Sequence, residues 1–348
     1  MKFKLLAGAC ALALGTPALA DHSGPTALGG SGGGLNVLGA DVLERGDAGA
    51  GLRLVYSQPD RRTDAELEAL AGEHVHAHDV DYLLRGSIGA AFGVTDRLTI
   101  SAELPYIHRD DLRAGDHSHS GGTVTNEVVR LGTVAGVGDA SVLAKYKLVG
   151  GPGEGLALIG GVKLPTGSTR KRSIGGERLE TEHQPGTGSW DPVFGAASSV
   201  QLGAVRLDAS GLYQISGKGA QHTRLGDRMQ GGIALSHRFG PPDHHDEAEV
   251  HVHADGQQHV HEAPEPHGHQ SWDAFVELTG EWEGRQTVDG EVEEDSGGSA
   301  VWLSPGARFN AAAGWSAAAS VGLPMWQDIR PSHSDNAFRV MLSLAKGF

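Results

Sequence analysis

The segment GDASVLAKYKLV at 138–149 sorts its side chains by parity. Ala140, Val142, Ala144, Tyr146 and Leu148 fall on one side of an extended chain, and Asp139, Ser141, Lys145 and Lys147 on the other. LTISAELPYI at 98–107 repeats the pattern, with Leu98, Ile100, Ala102, Leu104 and Tyr106 against Thr99, Ser101 and Glu103. AVRLDASGLYQIS at 204–216 sets Val205, Leu207, Ala209, Tyr213 and Ile215 against Arg206, Asp208, Ser210 and Gln214. A period of two marks strands rather than helices. The same alternation recurs at about 49–57, 79–94, 155–165, 190–202, 227–239, 271–282, 299–310, 315–326 and 336–348, so the pattern predicts twelve strands.

The connections between these strands alternate in length. Those at 95–97, 150–155, 203–204 and 311–314 are tight, whereas those at 58–78, 108–136, 166–189 and 283–298 are long and polar. Transmembrane barrels place short turns in the periplasm and long loops outside. A soluble β-sandwich would gather bulky residues on its buried face, but here the apolar face carries many Ala and Gly and the other face carries charge. Tyr56, Tyr82, Tyr106, Tyr146, Tyr213, Trp272, Trp282, Trp302, Trp315 and Trp326 lie in strands, many near an end, where interfacial aromatic girdles sit. Phe348 closes an amphipathic last strand. The expected fold is all-β, an antiparallel transmembrane β-barrel of about twelve strands over 49–348 with His-rich loop insertions, lying in the outer membrane and in contact with its lipid.

The N-terminus supports export. Lys2 and Lys4 precede an apolar Leu5–Leu14 stretch, and Ala18-Leu19-Ala20 is an A-x-A cleavage pattern, so residues 1–20 read as a signal peptide. Cys10 falls within it, and the exported remainder has no cysteine and no disulfide. Residues 21–48 form a Gly-rich leader; its GGSGGG at 29–34 lacks the Lys of a phosphate loop and reads as flexible. No apolar run of about 18 residues follows, which excludes a membrane-spanning helix. A formal net charge of −15 argues against nucleic acid as a partner. In the first long loop, Thr63-x-x-Glu66 before Leu67 and Leu70 is a capping-box pattern and predicts a short external helix over 63–73.

Histidine is the chemical feature that stands out. HVHADGQQHVHEAPEPHGHQ at 251–270 holds three His-x-His pairs at a period of eight. The insertion 240–270 carries His244, His245, His251, His253, His259, His261, His267 and His269; His74, His76 and His78 lie in one long loop, and His117 and His119 in the next. In an extended chain, residues two apart project to one side, so a His-x-His pair can offer two imidazoles to one ion. Neutral imidazole suits Zn²⁺, Cu²⁺ and Ni²⁺, and interleaved acids such as Asp243, Glu247 and Glu262 supply oxygen. These thirteen histidines are the candidate metal ligands, in loosely binding sites. No resident cofactor is implied. A solvated low-complexity loop and a pH sensor are the competing readings. Strand counting puts 240–270 between strands 8 and 9 on the periplasmic side, and the other His loops outside.

GVTDRLTISAELPYI, GVGDASVLAKYKL, GGVKLPTGS and GTGSWDPVFGAA resemble the family labelled "meta-pathway of phenol degradation", outer-membrane transporters, over about 79–240 and more loosely the C-terminal strands. The resemblance implies a barrel and a transport role; the family's name implies aromatic solutes, and no binding residue transfers with it.

The leading expectation is an outer-membrane channel for small solutes with His-rich loops that bind divalent transition metals. Its polar faces carry Arg85, Glu103, Lys145, Lys147, Lys163, Arg206, Asp208, Arg228, Glu277 and Arg308, with no dominant sign. A channel for aromatic or apolar solutes is the first alternative, for which Leu83, Leu143, Ile159 and Phe275 are the inward apolar residues. A closed structural or receptor barrel is the second. An enzyme is not expected: there is no G-x-S-x-G, and Ser236 and His237 are strand neighbours that point apart.

Overall fold

The computed structural model describes residues 33–120, 123–151, 153–239, 250–252, 258–260 and 270–348. The expected signal peptide at 1–20, leader residues 21–32 and most of the 240–270 insertion lie outside these residues. Twelve antiparallel strands form a closed barrel: β1 Ala48–Pro59, β2 Tyr82–Thr95, β3 Leu98–Ser120, β4 Ser141–Val149, β5 Gly155–Lys163, β6 Asp191–Leu202, β7 Val205–Gln214, β8 Arg228–Phe239, β9 Ser271–Glu283, β10 Gly298–Asn310, β11 Trp315–Ile329 and β12 Asn336–Gly347. Each strand pairs with the next, and β1 closes on β12 from Gly49↔Gly347 to Pro59↔Asn336. The expected strands are all present.

Closure satisfies the backbone groups of every strand, which is what lets a sheet sit in lipid. The alternation follows from the two solvents. Outward residues are apolar and uncovered, as at Ile88, Phe92, Ile233 and Leu235, whereas inward neighbours such as Ser87, Ser236 and Ala234 are buried. Ser236 and His237 do point apart; His237 faces outward and stacks on Phe239 at 4.4 Å.

The aromatic girdles form at both rims, with one correction. Tyr56 stacks on Tyr82 at 5.5 Å and Tyr213 on Trp282 at 6.2 Å, while Trp272 and Trp315 are exposed at the opposite ends of their strands. Trp302 instead faces inward and is 2% exposed, with the Arg339 guanidinium 4.2 Å from its ring centre. Its parity with the buried Ala300 and Ser304 puts it inside, and a register shift between Val301 and Trp302 marks the place.

Strand β3 overshoots the barrel. Its first residues, Leu98–Glu103, pair with β4, and from Tyr106 onward it pairs with the strand Thr123–Val137 in a tall hairpin. The expected helix spans Asp64–Gly72 and has its capping box: Glu66 Oε2 accepts from Thr63 N at 2.7 Å, and Thr63 Oγ1 accepts from Glu66 N at 3.3 Å. Leu67 and Ala71 are the helix's buried residues, and they lie against Gly115 of the tall hairpin. A side chain at Gly115 would collide with the Leu67 carbonyl. The helix therefore packs on this hairpin.

The leader does not trail away from the barrel. Asn36, Val37, Leu38 and Ala40 are buried inside the ring. Asn36 N and Val37 N donate to Glu277 Oε1 at 2.7 and 2.9 Å, and Asn36 Nδ2 donates to Glu277 Oε2 at 2.8 Å. Leu38 N donates to Ser210 Oγ at 2.9 Å and Ala40 N to Ser199 Oγ at 2.8 Å. Arg53 donates to the Leu35 carbonyl, and Arg308 to that of Gly34. Glycine is required where the leader meets the wall: a Cβ on Gly34 would overlap the Glu277 carboxylate.

Candidate functional site

Two layers occupy the barrel, one built on inward strand residues and one on an inward-folded loop. The inward charges expected from parity are present and largely paired. Arg206 contacts Asp41 at 2.6 Å and Asp208 at 2.8 Å; Lys163 bridges Asp139 at 2.7 Å and Asp191 at 2.9 Å; Arg85 reaches Glu103 at 3.1 Å and Arg228 reaches Glu283 at 2.8 Å. Buried ion pairs of this kind fix geometry more than they add stability. Between them lies an apolar patch of Leu143, Ile159, Val193, Ala197 and Leu212, and the leader's Leu38 packs on it. Leu83 and Phe275 are also buried inside.

The second layer comes from the opposite side. Loop 164–190 folds inward, so Thr181, His183, Gln184, Thr187 and Ser189 are buried. Gln184 acts as a piece of backbone: its Oε1 accepts from Lys171 N at 2.8 Å, and its Nε2 donates to the carbonyls of Leu179 and Lys171 at 2.7 and 3.0 Å. The fully buried Arg109 of β3 donates to the carbonyls of His183, Glu182 and Gln184 at 2.9, 3.3 and 3.4 Å. Asp139 accepts from Gly167 N and Thr187 N at 2.9 and 2.8 Å. A cavity lined by Arg85, Asp139, Lys163, Asp191 and Gln214 sits beneath Pro185 and Thr187.

Loop 60–81 delivers His78 to the same place. Arg113, buried in the tall hairpin, pairs with Asp79 at 2.8 Å and with Asp64, and donates to the Arg62 carbonyl at 2.9 Å. Ser334 donates to Asp79 at 2.9 Å, and His78 N donates to the Ser332 carbonyl at 2.7 Å. Burial pushes the Asp79 carboxyl up, against the lowering effects of Ser334 and Arg113. His78 then lies edge-on to His183, ring centres 4.3 Å apart, with His333 6.3 Å from His78. Among the described residues, His78, Glu180, Glu182 and His183 converge, their ligand atoms all within 4.8 Å of one another. Burial holds the His183 imidazole well below the usual histidine range, helped by the neighbouring His78, Arg109 and His333, so it is neutral at neutral pH. Gln286 Nε2 bridges Glu182, at 2.7 Å, to Glu293. Burial raises the Glu293 carboxyl; Glu182 and Glu180 raise it further.

The other expected ligands divide. His74 and His117 come together, ring centres 4.3 Å apart, with His117 Nδ1 2.8 Å from Asn126 Oδ1. His76 is exposed on the loop, within electrostatic reach of Glu293. His251 and His259 face each other in a short antiparallel pair, of which only the backbone is described. The side chain of His119, and all of His244, His245, His253, His261, His267 and His269, lie outside the described residues. The reading of the sequence found His78 but missed His183, Glu180 and Glu182. These three stand in RLETEHQPG at 178–186, where an E-x-E-H run inside a long loop was the available signal.

A closed twelve-stranded antiparallel barrel with a lipid-facing apolar belt and a charged interior defines the class of outer-membrane β-barrels. The chain belongs to the family described as "Putative MetA-pathway of phenol degradation", which matches residues 44–328. It is similar in structure to an outer-membrane channel from Pseudomonas putida F1, at 17% identity and a TM-score of 0.53, covering 89% of this chain and 98% of that one. Other similar structures are LpxR from Salmonella typhimurium (12% identity, TM-score 0.41, covering 85% and 99%) and a Pseudomonas aeruginosa FadL homologue (8%, 0.41, covering 88% and 90%). No curated protein sequence matches the chain.

Proposed function

We propose that the protein is an outer-membrane channel for small solutes, held shut at rest, whose external loops bind divalent transition metals. The observation that carries the channel reading is the way the bore is filled. The leader is held by side chains from separate strands through about one bond per residue, so it is a removable filling rather than a core. The metal part is supported by the imidazoles and carboxylates that the loops gather at the mouth.

One observation favours a second reading, in which the solute is apolar or aromatic. The patch of Leu143, Ile159, Val193, Ala197 and Leu212 is a lumenal surface on which Leu38 of the leader packs, and a displaced leader would leave it to an apolar guest. Planar-bilayer conductance of the full chain, with and without Zn²⁺ or Cu²⁺, tests the first reading. A small conductance that rises when the leader is destabilised supports it; no conductance in any state ends it. Quenching or blockade by an aromatic solute but not by a polar one of equal size would favour the second.

A further inference from the structure

We propose that His78, His183 and Glu182, with Glu180 beside them, form a site for one divalent transition-metal ion of the Zn²⁺ type that ties loop 60–81 to loop 164–190 across the external mouth. The proposal deepens the metal reading above by naming its ligands, and it does not depend on which solute passes.

The distances carry the argument. His78 Nδ1 lies 3.3 Å and His183 Nε2 3.6 Å from Glu182 Oε1, while His78 Nε2 lies 3.7 Å and His183 Nδ1 3.8 Å from Glu180 Oε2. Two donors each about 2.1 Å from a tetrahedral ion stand about 3.4 Å apart. The donors around Glu182 are therefore spaced as ligands of a shared ion would be.

Hydrogen bonding gives an independent observation. His78 and His183 are 7% and 2% exposed, yet His78 Nδ1 and both ring nitrogens of His183 have no hydrogen-bond partner among the described residues. Buried polar nitrogens without a partner are costly. Most of their neighbours around them are well satisfied: Gln184 makes three hydrogen bonds, and Glu182 Oε2 takes one from Gln286. A cation between the two rings would take a lone pair from each imidazole, with the Glu182 carboxylate beside it as an oxygen ligand. Two nitrogen donors favour Zn²⁺, Cu²⁺ or Ni²⁺ over Ca²⁺ or Mg²⁺.

The supporting shell fixes the ligands from outside. Arg109 holds the carbonyls of 182–184, Gln286 holds Glu182, and Ser332 holds the backbone of His78. Such outer contacts are what orient metal ligands.

The test uses the full-length barrel, metal-stripped in detergent and titrated with Co²⁺ and Zn²⁺. Wild type should bind one Co²⁺ with the visible bands of a low-coordinate nitrogen–oxygen site. His78→Ala, His183→Ala and Glu182→Gln should each weaken that event at least ~10-fold, while His251→Ala/His259→Ala leaves it unchanged. Heat-modified mobility on gels confirms that each variant is a folded barrel, and Glu182→Gln keeps side-chain volume if an alanine variant misfolds. Zn²⁺ should also slow hydrogen exchange in 76–80 and 180–184 together in wild type only. Equal binding by wild type and all three site variants, or loss of the bands only in His251→Ala/His259→Ala, overturns the proposal; so does Zn²⁺ binding that leaves exchange in both loops unaltered. Absent conductance would sink the channel reading and leave these spectra untouched, so the two failures separate.

Discussion

Glu277→Gln is the most informative single change to the bore. The Glu277 carboxylate is fully buried and accepts three hydrogen bonds from the leader: Asn36 N and Val37 N on Oε1, Asn36 Nδ2 on Oε2. A glutamine with its oxygen at the Oε1 position keeps the two backbone bonds but makes them neutral, a loss of about 1 kcal/mol each. Its NH₂ then faces the Asn36 NH₂. Asn36 cannot flip to relieve this, because its Oδ1 already accepts from Arg53 at 2.7 Å. The third bond, worth about 1.5–3 kcal/mol, is lost outright. The leader is thus weakened by roughly 3.5–5 kcal/mol, a ~300- to 4,000-fold shift toward release. Ser199→Ala removes one neutral bond to Ala40 and should shift release only about fivefold. Single-channel recording reads both, with Val37→Cys, which keeps the Val37 backbone bond to Glu277, as a second probe of accessibility. Longer or more frequent openings should rank Glu277→Gln above Ser199→Ala above wild type. Equal conductance and equal thiol reactivity in all three would refute the view that these bonds keep the bore filled.

Other outcomes follow from the same geometry. Arg109→Ala removes the donor shared by three carbonyls of the inward loop and should speed hydrogen exchange at 181–187 by about 100-fold; Arg109→Lys, a single point donor, should not restore protection. Leu38→Ala should weaken leader docking by about 2 kcal/mol and raise the fluorescence of an apolar naphthylamine dye bound in the barrel, whereas unchanged dye binding would refute access to the patch. Thr63→Ala should raise exchange at the first-turn amides of the helix roughly fivefold. Hydrogen bonds from the Thr63 backbone and then its side chain hold the Glu66 carboxyl below its ordinary value of 4.5. Its capping contribution is therefore complete above pH 4.5 and fades as pH falls through the lowered value; circular dichroism and exchange over pH 6 to 3 should show the helix loosening in that window.

The barrel was legible because lipid and water on either side of one sheet force a period of two onto the chain; the tall hairpin over 106–137 was not, because it stands outside the lipid and its polar sequence reads as a loop. Trp302 escaped because its aromatic character argued for a rim, whereas its parity with Ala300 and Ser304 placed it inside. The leader escaped for a different reason. GGGLNVLGAD reads as a flexible tail because its glycines carry no pattern, yet a glycine is what lets a backbone pass against Glu277. Of the candidate ligands, His78 was visible in a dense His-x-His-x-His run, but its partners lie about a hundred residues away, in a loop whose inward fold depends on Arg109. Sequence clustering records neighbours along the chain, and a site assembled from two loops leaves little trace of that kind.

The seam between β1 and β12 also sets an order of events for assembly. The groups that hold Gly34–Ala40 come from Arg53 on β1, Ser199 on β6, Ser210 on β7, Glu277 on β9 and Arg308 on β10, across separations of up to 274 residues. No half of the chain presents all of them. Contacts so distant in sequence form late, because closing long loops is entropically slow. The leader therefore seats only once strands from both halves stand in one ring, and a filled bore is a record that the ring has been completed.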